Sequence, residues 1–533
     1  MDLKVLMLVL IGIVLFLFGI ENFSLEVQRS SGEKFRKFLK KATRNRLLGA
    51  FSGFLTTALI NSSTATTLIA VGLVNAGLIS FVQSLPVIFG ANIGSTITAQ
   101  LVAFKLTYFA PFLLVIGFVL SFFKKTKLIG KPLFYFGLLF FGLNLVSEAI
   151  VPYSKNPEVL NLFSSFDNLF LGILISFIFT VIFNSSALTM GLAIVLASKG
   201  LISLNQSIPI ILGANLGTTI TTLIASFKMN LHAKRSAIAH LIFNVLGVFL
   251  FLPFLSQYVG FISFIGGSVE RQIANAHTFF NLVTASIFLI LLNPFKRVVE
   301  ALVRGNEEEI LLESKYLKEK LPEEKNILFS LIEKEIINLI EVNKKMFILS
   351  KEVIMKNNEK DISRLKKLAL LSDILTEEIV RALFYLSQKK LSEVEARKVL
   401  LLIRITNSFE QLGDLAEDLV DLPESHPEVS FAYGREISGS VDSLFDRCVI
   451  ILSRLSKDFL NFKTRKSEKS FLKTGNINEL FNKEYSKNMP ILKKENVPEA
   501  SLFVEVCSIL ENVFFKLEDI YELVEEYSKV RIQ

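Results

Sequence analysis

The chain has 533 residues, of which 51% are hydrophobic and 49 are Phe, and its mean hydropathy is +0.49. This composition excludes an ordinary soluble enzyme and predicts a membrane protein. The charge is divided unequally, because residues 1–304 hold 23 Lys+Arg and 9 Asp+Glu, whereas residues 305–533 hold 35 and 41. We therefore predict a membrane domain at 1–304 and a soluble domain at 305–533.

The first predicted element is a transmembrane helix at 3–22. No small-residue cleavage site follows its apolar run and further apolar segments come after it, so we predict a retained helix, not a signal peptide. Further predicted spans lie at 48–75, 83–103, 108–123, 132–151, 170–198, 206–227, 236–256 and 277–294.

The second predicted span contains a polar interruption, NSSTATT at 61–67. The apolar segment before it, Leu47–Ile60, is too short to cross a bilayer core of about 30 Å as a helix. Asn and Ser are favoured helix N-caps. We therefore predict a helix break at 61–64, with a new half-helix beginning there.

The same motif returns as NSSALTM at 184–190, within an internal repeat. Residues 49–105 and 172–228 align without a gap at 26 of 57 identical positions, and GANIGSTIT at 90–98 falls on GANLGTTIT at 213–221. We expect further breaks at 184–187, near 90–96 and near 213–219, because glycines permit tight turns. The repeats span about 3–123 and 132–256.

The distribution of basic residues predicts that the second repeat is inverted. The segment before the first repeat, 29–46, holds eight Lys/Arg and one acidic residue, whereas its counterpart at 152–168 holds one Lys and two acidic residues. Basic loops favour the cytoplasmic side, so the two segments are expected on opposite sides. Inverted repeats with broken helices are an architecture of secondary transporters.

The polar breaks are candidate ligand sites. Free N–H groups at a helix start favour anions, and hydroxyl oxygens can also ligate a hard cation such as sodium. Neither break contains Lys or Arg, and the spans lack an obvious carboxylate relay, which favours an anion accompanied by cations over a proton-driven pump. The alternative is that these small polar residues serve helix packing. The predicted sodium-binding or site-lining residues are Thr66, Thr189, Gln83, Gln206, Asn92, Ser95, Thr96, Asn215, Thr218 and Thr219.

The pattern NSSxxT, then AGLIS, QS and GANIGST, resembles the type II sodium–phosphate cotransporter family over residues 1–300. That resemblance implies sodium-coupled transport of inorganic phosphate. The family's repeated QSSS motif falls on Asn61, Ser62, Ser63 and Thr64 and on Asn184, Ser185, Ser186 and Ala187. Asn thus replaces Gln in both copies, and Ala removes the last hydroxyl from the second. The implied phosphate-binding residues are Ser62, Ser63, Ser185, Ser186, Asn61, Asn184 and Thr64.

Residues 305–533 are charged and rich in Leu and Ile, which predicts helical bundles with candidate helices at 307–320, 323–357, 359–390, 393–421, 427–463, 477–486 and 498–529. The segment 372–422 resembles the PhoU family, whose members can bind metal through E-x-x-x-D pairs. A divalent or transition metal could then bind at Glu410, Asp414, Asp418, Asp373 and Glu377. The alternative is a solvated acidic helix face.

The sequence as a whole predicts an all-α, multi-pass protein of a bacterial inner membrane, with a cytosolic PhoU-like regulatory domain. Its predicted function is sodium–phosphate symport by alternating access at a site formed by both breaks. A phosphate sensor and a transporter of another small solute are the alternatives. No enzyme motif is present and we expect no nucleic-acid partner; membrane lipid, a homodimer contact or a cytosolic regulatory partner are expected.

Overall fold

A computed structural model describes residues 3–154, 156–318, 320–356, 359–425, 435–459, 479, 481–483, 486–487 and 498–532. These residues are helical or irregular and contain no strand, which confirms the predicted all-α class. The chain divides into two compact units, Met1–Glu309 and Ile310–Gln533, here called the membrane unit and the soluble unit.

The membrane unit contains fifteen α-helices within the described residues. They are α1 Leu3–Ala42, α2 Arg46–Ile60, α3 Ser63–Asn75, α4 Phe81–Ala103, α5 Ala110–Phe122, α6 Lys127–Ile150, α7 Pro157–Phe163, α8 Leu169–Phe183, α9 Ser186–Ser198, α10 Leu204–Gly217, α11 Thr219–Ser226, α12 Leu231–Phe251, α13 Leu255–Ile265, α14 Val269–Ile290 and α15 Leu292–Leu302. Among the described residues, six helical runs are long and apolar enough to cross a membrane, or seven if the bent run 157–183 counts as one span. Their number and composition support a multi-pass membrane protein.

The helix breaks agree with the sequence at two places and differ at two others. Breaks separate α2 from α3 and α8 from α9, as predicted. The break expected near 90–96 is wrong, because α4 is continuous there. Near 213–219 the helix is interrupted only at Thr218, and 204–226 counts as one span.

Close helix contacts explain why glycines at these places do not break the helix. A Cβ atom on Gly90 would lie 1.8 Å from the carbonyl oxygen of Ala50, and one on Gly213 would lie 2.3 Å from that of Ile173. Since neither position can hold a side chain without moving the neighbouring backbone, each glycine allows α4 to contact α2 or α10 to contact α8.

The first helix is also longer than predicted. It continues from the apolar run through the basic segment to Ala42, where a loop was expected from residue 29 onward. It packs against α6 in the antiparallel sense, since Gly12 approaches Gly142 and Val146 while Gly19 approaches Tyr135 and Leu139. Long Lys, Arg and Glu side chains have good helix propensity, so charge alone does not end a helix.

The end of the membrane unit, residues 303–309, lies against the starts of α4 and α12 and is here called the strap. The Glu309 carboxylate accepts a hydrogen bond from the Phe81 N–H at 2.5 Å, and Glu307 accepts one from Leu231 N–H at 2.9 Å. The buried Arg235 donates to the carbonyl groups of Val303 and Gly305. Carboxylates at helix N-termini are stabilising because they satisfy free N–H groups and complement the helix dipole.

The described helices of the soluble unit are α16 Lys325–Lys356, α17 Glu359–Ser387, α18 Glu393–Ser425, α19 Arg435–Asp458 and α20 Pro498–Ile532. The helix predicted at 307–320 is wrong, because residues 307–318 and 320 are irregular. The fully buried Glu335 accepts hydrogen bonds from Ser314 Oγ and from the backbone N–H groups of Tyr316 and Leu317. Parts of the helices predicted at 427–463 and 477–486 lie outside the described residues.

Candidate functional site

The first break separates α2 from α3. Asn61 adopts the left-handed conformation (φ 59°, ψ 31°), which Asn tolerates better than most side chains. Ser62 is the N-cap of α3, and its Oγ accepts a hydrogen bond from the Ala65 N–H at 3.2 Å. The N–H groups at Ser63 and Thr64, in the first turn, have no acceptor within the helix.

The second break repeats this geometry. Asn184 is left-handed (φ 49°, ψ 33°), and the Oγ of Ser185 caps α9 by accepting from Leu188 N–H at 3.1 Å. The side-chain oxygen of each Asn also accepts a hydrogen bond from a threonine. Thr98 of α4 donates to Asn61, and Thr221 of α11 donates to Asn184. The sequence repeat is thus matched by a repeat of backbone conformation and hydrogen bonding.

Both breaks line one cavity of about 680 Å³ in the membrane unit. The starts of α3 and α9 therefore present N–H groups and hydroxyls to a common space. No Lys, Arg or His is among the residues that line it within the described part of the chain, and the one carboxylate is Glu21 of α1. Such a surface can hold an anion by neutral dipoles and offers hydroxyl oxygens to a cation.

Nine of the predicted site residues line this cavity. They are Asn61, Ser62, Ser63, Thr64, Ser95, Asn184, Ser185, Ser186 and Thr218. Ser63 and Ser186 are 7% and 8% exposed, and neither hydroxyl has a hydrogen-bond partner among the described residues. These two hydroxyls are therefore available to a ligand.

The other predicted residues do not line the cavity. Gln83 and Gln206 complete capping boxes with Ser80 and Ser203 at the starts of α4 and α10. The remaining six have buried side chains that donate hydrogen bonds to backbone carbonyls of their own chain segment: Thr66, Thr189, Asn92, Thr96, Asn215 and Thr219. Thr66 and Thr189 thereby bond to the serine caps Ser62 and Ser185, and none of the six residues lines the cavity.

Sequence reasoning missed two parts of the cavity wall. The first part consists of Thr98 and Thr221, which are the last residues of the repeated GANIGSTIT and GANLGTTIT strings. The other is a face of α1 that includes Glu21, Ser24 and Gln28. No local motif marks this face, because its residues are separated by apolar ones at helical spacing.

A second repeated motif also escaped the sequence reasoning. AHLIFN at 239–244 in α12 matches AHTFFN at 276–281 in α14. Asn244 donates at 3.3 Å to the side-chain oxygen of Asn92 on α4, the helix that also carries Ser95. The fully buried rings of His240 and His277 have no hydrogen-bond partner among the described residues.

The structure does not support the predicted metal site in the soluble unit. Over its described residues, no group of three or more His, Cys, Asp or Glu side chains is placed to hold a metal ion. Burial, followed by the charge of nearby carboxylates, raises the pKa of Asp373, Glu410 and Asp414. The five residues are therefore better described as partly solvated acidic faces of two helices, with Asp373 and Glu377 on α17 and Glu410, Asp414 and Asp418 on α18.

Comparison with known proteins identifies relatives of the membrane unit. The profile of the Na+/Pi-cotransporter family matches residues 15–148 and 155–269. "Uncharacterized protein YqeW" of Bacillus subtilis is 33% identical over 304 residues, which cover 56% of this chain and 99% of that protein. No solved structure matches the chain.

Two further relatives have names that describe transport. "Putative inorganic phosphate export protein YjbB" of Escherichia coli is 25% identical over 411 residues, 76% of each chain, so the similarity continues past the membrane unit. "Sodium-dependent phosphate transport protein 2B" of Homo sapiens is 31% identical over 148 residues, which cover 26% of this chain and 21% of that protein.

Proposed function

The chain belongs to the Na+/Pi-cotransporter family, and from this membership and the cavity we propose that it transports inorganic phosphate across a membrane. The observation that carries the proposal is the meeting of two helix starts, each with a serine cap and a free serine hydroxyl, in one cavity without basic side chains. Phosphate oxygens accept hydrogen bonds from such N–H and hydroxyl donors.

We propose that phosphate contacts Ser62, Ser63, Thr64, Ser185 and Ser186, with Asn61 and Asn184 shaping the two turns. The serine caps use an oxygen lone pair to bind the helix, so their hydroxyl hydrogens remain able to donate to phosphate. Ser63 and Ser186 have both hydrogen and lone pairs available.

Sodium is the proposed coupling ion. A phosphate anion held only by neutral donors keeps most of its charge, so a co-bound cation lowers the free energy of the loaded cavity. Hydroxyl oxygens of Ser95 and Thr218 line the same cavity and are suitable ligands for a hard cation. The human relative's name, which includes "sodium-dependent", supports this choice.

The proposed transport cycle is alternating access by two inverted repeats. Three observations support it: the constant spacing of 123 residues between the copies, the matching turns at Asn61 and Asn184, and the antiparallel packing of α1 against α6. In such a cycle the cavity is exposed to one side of the membrane at a time while the ligand-binding breaks remain central.

We propose a bacterial inner membrane as the location and the cytosol as the position of the soluble unit, because the basic segments 29–46, 124–131 and 228–235 favour that side. The soluble unit, which resembles PhoU proteins over 372–422, is proposed to regulate transport, as part of a homodimer or by contact with a cytosolic partner.

Export is a second candidate direction, because the similarity to the E. coli relative extends beyond the membrane unit. The binding chemistry is the same for uptake and export. Which direction operates then depends on the ion and phosphate gradients and on control by the soluble unit.

The test is radiolabelled phosphate flux in proteoliposomes that contain the full chain, with inward and outward sodium gradients and with choline replacing sodium. Phosphate flux that follows the sodium gradient supports the proposal, and Ser63→Ala with Ser186→Ala should abolish it. Sodium-independent flux would refute coupling, and specific binding without flux in either direction would favour a phosphate sensor. Flux of another anion without phosphate flux would assign a different solute.

A further inference from the structure

One wall of the cavity comes from α1, outside the two polar breaks. Glu21, Ser24 and Gln28 line the cavity, and their spacing of three and four residues places them on one face of the helix. Gln28 Nε2 donates to Ser24 Oγ at 3.0 Å, which orients both side chains. The wall thus offers a carboxylate and two further side-chain oxygens beside the phosphate donors.

Glu21 differs from the other carboxylates of α1 in having no ion-pair partner among the described residues. Glu26 lies 3.2 Å from both Arg29 and Lys131, and Glu33 lies 2.9 Å from Lys37. Glu21 is exposed, lines the cavity and is the one ionisable side chain on its lining within the described residues. Its negative charge is therefore not balanced by the protein.

An unbalanced carboxylate is unfavourable in a cavity that receives an anion. Two like charges in a confined, partly desolvated space repel each other more strongly than in water. A small cation bound at the carboxylate removes this repulsion and attracts the phosphate. The carboxylate thereby makes phosphate binding depend on the cation, which neutral hydroxyls alone would do less strongly.

We propose that Glu21, Ser24 and Gln28 form a binding site for a monovalent alkali cation of the sodium class, and that its occupation is required for tight phosphate binding in the cavity. Hard cations prefer carboxylate, amide and hydroxyl oxygens, and this face of α1 supplies one of each. The site rests on the proposed phosphate transport and adds to it a cation site that lies outside the repeated motifs.

The second repeat has no equivalent wall on this cavity. At the repeat spacing, Glu21, Ser24 and Gln28 correspond to Asn144 and Ser147 of α6 and to Val151, which directly follows that helix. None of them lines the cavity, and Asn144 Nδ2 donates to the Glu148 carboxylate at 3.4 Å. The proposed cation site is therefore a property of the first repeat alone.

The test measures binding of labelled phosphate and of ²²Na+ to the purified full-length chain, with sodium replaced by choline at constant ionic strength. For the unsubstituted protein, sodium is expected to tighten phosphate binding at least 10-fold. In Glu21→Gln this sodium effect should fall below about 3-fold and ²²Na+ binding should weaken, because the amide keeps the shape but not the charge. Glu21→Asp should retain part of both effects.

Glu33→Gln is the matched control, since Glu33 lies on the same helix outside the cavity lining, and it should bind like the unsubstituted protein. Gln28→Ala is a second variant for the case that Glu21→Gln fails to fold; it should weaken ²²Na+ binding while Glu21 is retained. An unchanged sodium effect and unchanged ²²Na+ binding in a folded Glu21 or Gln28 variant would overturn the inference. Absence of phosphate binding by the unsubstituted protein would instead refute the proposed function, and ²²Na+ binding would still report on the cation site.

Discussion

The two breaks of the membrane unit have nearly the same backbone but different surroundings. Asn61 and Asn184 share the left-handed conformation and a hydrogen bond from a threonine 37 residues further along the chain. However, the first break carries Thr64 where the second has Ala187, and only the first repeat contributes its leading helix, α1, to the cavity. The two copies therefore share their backbone geometry but present different side chains to a ligand.

The largest expected effect tests whether the two breaks contribute equally to phosphate binding. Ser63→Ala and Ser186→Ala each remove a hydroxyl that lines the cavity without a partner among the described residues. A hydrogen bond to a charged group contributes about 1.5–3 kcal/mol, so each variant should bind phosphate roughly 10- to 100-fold more weakly. Equilibrium binding of labelled phosphate to the purified protein measures this.

Ser121→Ala on α5 is the control, because that hydroxyl donates to its own helix at Phe118 and lies away from the cavity. Similar losses for Ser63→Ala and Ser186→Ala would indicate a symmetric site. Normal affinity in both variants would contradict the assignment of these hydroxyls to phosphate.

The next prediction tests whether Asn61 and Asn184 are needed for their left-handed backbone conformation or for their side-chain amide groups. Ala at position 61 or 184 would have to adopt a left-handed conformation, which is unfavourable by about 1–2 kcal/mol for most residues, whereas Gly adopts it freely. Asn61→Ala and Asn184→Ala should therefore lower the apparent melting temperature in detergent more than the two Gly variants do. Equal melting temperatures for the Ala and Gly variants would show that the turn is not under this constraint.

A third difference between the copies lies at the starts of α4 and α10. The Phe81 N–H of α4 bonds to Glu309 of the strap, but no carboxylate bonds to the Leu204 N–H of α10 among the described residues. Glu309→Ala should destabilise the membrane unit by about 1 kcal/mol, and Glu309→Gln by less, because the amide still accepts a hydrogen bond. Thermal unfolding in detergent measures both changes.

Glu300→Ala is the control for this measurement, since the partly exposed ion pair of Glu300 with Lys296, at 3.6 Å within one helix, contributes little to stability. A melting temperature of Glu309→Ala that matches the control would mean that the strap does not stabilise α4. That result would make the starts of α4 and α10 equivalent despite their different contacts.

These comparisons also explain what could be predicted from the sequence. The breaks at 61 and 184 were predictable because Asn and Ser combine turn tolerance with N-cap chemistry in short local strings. The glycines at 90 and 213 were misinterpreted, since a glycine that allows close helix packing looks the same in sequence as one that permits a turn. The cavity wall from α1 depends on tertiary packing, so no local pattern could have indicated Glu21.

The smallest expected effect concerns the one hydroxyl by which the four residues at 61–64 differ from those at 184–187. Thr64→Ala makes the first break chemically like the second, and Ala187→Thr makes the second like the first. Both positions line the cavity at the second residue of their helices, where a hydroxyl supplements N–H groups that already bind the anion. We therefore expect Thr64→Ala to weaken phosphate binding by no more than about 5-fold, equivalent to about 1 kcal/mol, and Ala187→Thr to strengthen it by a similar factor or less.

Phosphate titrations of the two single variants and of the double swap measure these changes in affinity. If the double swap restores the original affinity, the two breaks are interchangeable around the ligand. A loss in Thr64→Ala as large as that in Ser63→Ala would instead place the main phosphate contacts at the first break.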